Sequence, residues 1–135
     1  MQKKVRKLVK RHKTTCPFEL AERLNIEVSF EVLPDGVRGL YHYKLRRRFI
    51  VLNKKYPPEQ QRFTCAHELG HDQYDRRIGL YFIEHNTLFN PNKYERRANR
   101  FAVTLLTYEA EMIEGETIEH FYARNNIPKE IIGKT

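Results

Sequence analysis

Two histidines and a glutamate in this chain have the types and spacing that hydrolytic metal chemistry requires. They form the run His67-Glu68-Leu69-Gly70-His71, inside one uninterrupted helical pattern over residues 59–74. On a helix, four residues rise about 6 Å and turn slightly more than once, which leaves both imidazoles on one face. Two ring nitrogens can then grip one ion. Glu68 follows the first of them directly and projects from an adjacent sector, where it can reach a metal-bound water without being a ligand, the logic of H-E-x-x-H peptidases. Zinc would lower the pKa of that water toward about 7, and Glu68 would serve as general base, returning the proton to the leaving amine. The bland alternative is an ordinary buried helix whose histidines cap or hydrogen-bond. It stays open until a third protein ligand is found, since a catalytic zinc needs one and leaves a position for water.

The metzincin pattern places that ligand six residues past His71, but the residue there is Arg77, and Tyr74 stands at the pattern's Gly, so this subclass is excluded. Glu95 is the better candidate, as the second-helix glutamate of a gluzincin-like arrangement. It begins Glu95-Arg96-Arg97-Ala98-Asn99-Arg100-Phe101-Ala102. Ala98, Phe101, Ala102, Leu105 and Leu106 make an apolar stripe at helical spacing, and Glu95 and Asn99 extend the same inward face. Small Ala98 and Ala102 would let this helix approach the histidine helix closely. Asn99, one turn after Glu95, could orient a ligand. The alternative for Glu95 is a surface position in a first helical turn, favoured by the dipole. Asp72, Asp75, Glu84 and His85 are rival ligands. Cys65, two residues before His67, points to another side of the helix and reads as a small core residue. A structural zinc site would need four ligands, commonly cysteines, and only Cys16 and Cys65 are present.

The elements that must position these groups follow from periodicity. Cys16-Pro17-Phe18-Glu19-Leu20 starts a helix that ends near Asn25. Ile26, Val28, Phe30 and Val32 alternate with polar residues as in a half-buried strand, and Pro34-Asp35-Gly36 supplies a turn. Residues 37–43 and 48–53 are β-branched and aromatic, with a tight connection between them, which predicts a small sheet of about three strands. A second strong helix is expected over residues 93–108, after a looser stretch from Asp75 to Asn92. Ile118, Phe121 and Tyr122 suggest a last helix ended by Asn125-Asn126, and a short turn at residues 127–132.

At 135 residues, the chain has room for one domain with one core. Its 40% hydrophobic and 31% charged composition is that of a globular protein. The absence of a long apolar run, the basic N-terminus and the two cysteines predict a reducing, cytoplasmic setting without a membrane span. A net charge of +8 comes with basic runs at residues 3–11 and 46–48. Such runs attract nucleic acid or acidic proteins. Val5, Leu8, Val9 and His12 fall on one helical face, so the first run reads as an amphipathic helix with a solvated basic side, and charge alone does not assign DNA binding.

The paired signature, His67-Glu68-Leu69-Gly70-His71 with Glu95-x-x-Ala98-Asn99-x-Phe101-Ala102-x-x-Leu105-Leu106, resembles the ImmA/IrrE family of metallopeptidases. The resemblance also takes in Pro17-Phe18-Glu19-Leu20-Ala21, the 33–53 sheet region and Gln61-Arg62-Phe63, so it spans roughly residues 16–108. It implies an α+β domain with a small antiparallel sheet packed with helices around a zincin-like core. It further implies His67, His71 and Glu95 on zinc and Glu68 as catalytic glutamate. Members resembling this chain are encoded by phages and mobile elements and cleave a cytoplasmic helix-turn-helix repressor, relieving repression. The chain departs from the family at Thr107-Tyr108 and at the polar Asp72-Gln73. For the oxyanion, Tyr41, His42, Tyr43, Tyr74 and His85 are all chemically suitable donors. Residues 46–53 could pair with substrate backbone as a strand. The competing function is a catalytically idle regulator that binds a repressor or DNA through its basic surfaces, against which the intact Glu68 argues.

Overall fold

Apolar periodicity places the helices where their sequences predict them. The structure, a computed structural model, describes residues 1–77 and 92–135. Helices α1 (Gln2–His12) and α2 (Pro17–Arg23) precede strands β1 (Glu27–Glu31), β2 (Gly39–Lys44) and β3 (Arg47–Asn53). The long α3 (Pro58–Tyr74) follows, then α4 (Lys93–Leu106), α5 (Ile118–Arg124) and a 3-10 turn at Lys129–Ile131. Prolines stand at the first turns of α2 and α3, where a missing N–H costs nothing. Asn126, at φ 58°, turns the chain after α5 in the left-handed region that Asn tolerates.

Three strands among the described residues and the α+β class are as expected, but the sheet is mixed rather than antiparallel. Its order is β1-β3-β2, with β1 parallel and β2 antiparallel to β3. The reason lies in the connections. β2 and β3 form a tight hairpin, with Leu45 and Arg46 at φ 53° and 64°, the left-handed pair that a two-residue type I′ turn needs. The chain leaving β1 crosses past β3 through residues 32–38 to start β2 on the far side, so β3 returns in the direction of β1. This also corrects the expectation of substrate pairing along residues 46–53: β3 is the central strand, and both its edges are occupied.

β1 alternates as predicted but is covered only at its start. Ile26 is buried, whereas Phe30 and Val32 are exposed, because the seven-residue α2 is too short to reach them. Among the described residues, the Phe18 ring stacks against Phe30, at 6.2 Å between centroids.

α3 runs through the middle of the molecule, and every residue from Phe63 to Asp72 is buried. A helix buried on all sides must pair its polar groups internally. On one side it packs on α4 at a glycine–alanine contact: a Cβ on Gly70 would lie 2.9 Å from Ala98 Cα and 3.1 Å from Phe101 Cβ. On the other it meets the sheet, where a Cβ on Gly39 would lie 2.5 Å from Thr64 Cγ2. Cys65 is fully buried in this core, as expected, and burial pushes its thiol pKa up. Among the described residues, no helix is long and apolar enough to cross a membrane.

Candidate metal centre

The close packing of α3 on α4 brings His67, His71 and Glu95 together. One ligand atom from each lies within 4.8 Å of the other two, near the separations that metal–ligand bonds of roughly 2 Å impose. Glu95 is held at this height by Asn92, which caps α4 by accepting from the backbone N–H groups of Tyr94 and Glu95 at 3.0 and 2.9 Å. Its carboxylate spans both rings: Oε2 is 3.1 Å from His67 Nε2, and Oε1 is 2.9 Å from His71 Nε2. The rings themselves lie 4.8 Å apart, edge to face.

The far side of each imidazole is fixed as well. His67 Nδ1 donates to Asn99 Oδ1 at 2.7 Å, and Asn99 Nδ2 donates to the Lys134 carbonyl at 2.7 Å. The second bond sets which way the Asn99 amide faces, and therefore the His67 tautomer. His71 Nδ1 donates to Asp75 Oδ2 at 3.2 Å, and Asp75 is also paired with Arg97. With both Nδ1 atoms protonated, the neutral rings turn their Nε2 lone pairs toward a carboxylate. Lone pairs facing lone pairs in a buried site repel, so the cluster calls for a cation, either protons or a metal ion. The donor set therefore fits a metal.

The electrostatics agree. Burial alone would lower the pKa of His71, but hydrogen bonds to Asp75 and Glu95, with the nearby charge of Glu68, push it up to about 10. Burial would raise Glu95, yet the two imidazoles hold it down to about 2. Glu68 is itself buried, and its charge is felt at His71.

Asp72 and Asp75, two of the rival ligands, have other partners. Asp72 turns to the opposite side of α3, where it accepts from the Tyr41 hydroxyl at 2.6 Å and from Arg48 at 3.1 and 3.3 Å. Arg48 also donates to the Leu24 carbonyl, which ties α2, β2, β3 and α3 at one point. Asp72, the first residue of the polar Asp72-Gln73 pair, is thus used within the fold. Asp75 supports His71 from behind, a role that its spacing of four residues along the helix could have signalled. Glu84 and His85 lie outside the described residues.

Of the oxyanion candidates, Tyr41 is committed to Asp72, and burial together with that bond raises its pKa. Tyr74 donates to Met1 Sδ at 3.4 Å, with Lys4 and Arg97 over its ring. Tyr43 lies beside Arg76, and His42 beside Phe49. Among the described residues, none of these four hydrogen-bonds to His67, His71 or Glu95. The C-terminal segment also contributes, as no residue pattern announced: Arg96 donates to the Gly133 carbonyl at 3.0 Å, Lys134 receives Asn99, and Ile131 is fully buried.

Comparison with known proteins points to a peptidase family. The chain is 36% identical over 131 residues to immunity region protein 2 of Bacillus phage phi105, covering 94% of this chain and 83% of that protein. It is 25% identical over 132 residues to metallopeptidase ImmA of Bacillus subtilis strain 168, covering 93% and 77%. Residues 21–127 match the family described as the IrrE N-terminal-like domain, Peptidase M78. That span is most of the chain, and on it the chain belongs to the Peptidase M78 family of IrrE N-terminal-like domains.

Proposed function

We propose that this chain is a single-domain, zinc-dependent endopeptidase of the cytoplasm that hydrolyses a peptide bond in a helix-turn-helix repressor, relieving repression of a phage or mobile element. The observation that carries the reading is the convergence of two Nε2 atoms and one carboxylate, with both Nδ1 atoms already engaged. In this reading His67, His71 and Glu95 hold the ion. Three protein ligands without cysteine are the set of a catalytic rather than a structural zinc. Zinc supplies Lewis acidity there, enough to bring a coordinated water's pKa toward about 7.

The chain's own residues do the rest. Glu68 accepts the proton from the attacking water and delivers it to the departing amine nitrogen. Asn99 and Asp75 keep the two imidazoles in the tautomer that offers Nε2. Substrate backbone is aligned along β2, the one of the two edge strands whose Gly39 and Tyr41 lie against α3. The repressor as substrate rests on the family resemblance and on the relative named for a phage immunity region.

The test is coexpression with the repressor encoded nearest the gene, comparing the wild type with Glu68→Gln, alongside zinc analysis of both purified proteins. Wild type should deplete the repressor, while the variant keeps its zinc and spares it, with a loss of about 10²–10⁴-fold in cleavage rate. Equal depletion by both proteins sinks the mechanism. Salt-sensitive repressor or DNA binding without cleavage by the wild type would favour the idle regulator instead.

A further inference from the structure

The positive charge of this protein is concentrated in one element. Of its 25 Lys and Arg residues, seven precede Thr14, where there is no Asp or Glu; the 18 that remain face 17 acidic residues. Nearly the whole net charge of +8 therefore sits on α1 and its C-cap, and the rest of the chain is almost neutral.

The structure shows how that charge is displayed. Val5 is fully buried, and Met1, Leu8 and Val9 pack on the core, so the apolar face of α1 is used up inside the molecule. Lys4 is turned inward, donating to the Gln73 carbonyl at 2.9 Å. Lys3, Arg6, Lys7, Lys10 and Arg11 are all exposed, and none of them is ion-paired with a described residue. The first turn has no acidic residue and Met1 gives no side-chain cap. Lys3 and Lys4 thus stand at the end of the helix where the macrodipole disfavours cations. Lys4 is answered by the Gln73 carbonyl and the Tyr74 ring, but exposed Lys3 has no ion-pair partner among the described residues, and a local rule left broken there points to a partner outside the molecule.

The chemistry of the face selects among polyanions. A lipid surface would need a free apolar face, and that of α1 is buried. A protein partner would need aromatic or aliphatic anchors, and the exposed side of α1 offers only Lys, Arg and Gln. Single-stranded nucleic acid is held by aromatic stacking, for which this face has no ring. A rigid helix fits the major groove of B-form DNA, whereas that of A-form RNA is too deep and narrow. We propose that the exposed side of α1 is a docking surface for the phosphate backbone of duplex DNA, independent of base sequence and of the metal centre.

The test measures binding of the full chain to a labelled mixed-sequence duplex of about 25 base pairs by fluorescence anisotropy, between about 50 and 200 mM salt. Five phosphate contacts predict a log–log salt slope of about −4 to −5, with a Kd of order 10⁻⁴–10⁻⁶ M at physiological salt. The combined variant Lys3→Gln, Lys7→Gln, Lys10→Gln should keep the wild-type melting temperature, since Gln forms helix about as well as Lys. It should flatten the slope by about 3 and bind at least about tenfold more weakly. A control with the same charge loss elsewhere, Lys44→Gln, Lys54→Gln, Lys129→Gln, should bind as wild type does. Equal weakening in the two combined variants would overturn the proposal, because net charge and not α1 would then be responsible. Tighter binding to polyglutamate, single-stranded DNA, duplex RNA or anionic vesicles than to duplex DNA would overturn it as well.

Discussion

His71 and Asp72 are neighbours in sequence and open onto two different buried polar clusters, one on each side of α3. On the Asp72 side the carboxylate is answered by protein groups: the Tyr41 hydroxyl, the guanidinium groups of Arg48 and Arg76, and the Gln73 amide. On the His71 side, two imidazoles and Glu95 converge through atoms that are acceptors in the neutral state, and they are answered only by a cation. Completeness separates the two. A buried cluster closed by side chains is architecture, whereas one that calls for an ion is a candidate site for chemistry.

The largest expected effect tests the closed cluster. Asp72→Asn leaves Arg48 with an uncompensated partly buried charge and should lower unfolding free energy by about 3–5 kcal/mol in denaturant titration. Zinc content per folded molecule should be retained, and its loss would merge the two clusters into one. Gly70→Ala probes what separates them. Its Cβ would press on the Ala98 backbone and should cost about 1–3 kcal/mol, and by moving α4 away it should also weaken zinc binding. An unchanged zinc affinity would show that Glu95 tolerates helix separation. Tyr41→Phe removes one hydrogen bond to a carboxylate and should cost about 1.5–3 kcal/mol while leaving the catalytic rate unchanged. A fall in rate would return Tyr41 to the active site. The smallest effect belongs to Asn99→Ala, which should weaken zinc about 10–100-fold by chelator competition, with the fold retained.

The candidate metal centre was more legible than the sheet. His67, Glu68 and His71 share one helix, and Glu95, Ala98, Asn99 and Phe101 another, so local periodicity fixed which faces they occupy. Strand order depends on connections between distant segments, and the parallel pairing of β1 with β3 has no local signature. The apolar alternation of β1 predicted coverage that a seven-residue α2 does not provide at Phe30 and Val32.

From the sequence alone came the helix boundaries, the H-E-x-x-H face and the candidate third ligand, because these rest on a repeat of 3.6 residues within one segment. Only the tertiary structure decided that Asp72 serves architecture while Asp75 serves His71. Both acids follow the motif on one helix, and what distinguishes them is the element each one meets: the sheet with Tyr41 and Arg48, or α4 with Arg97. Only the tertiary structure, likewise, brought the Lys134 carbonyl to Asn99 and so fixed the tautomer of His67. A contact between residues 35 positions apart leaves no periodic trace in the chain.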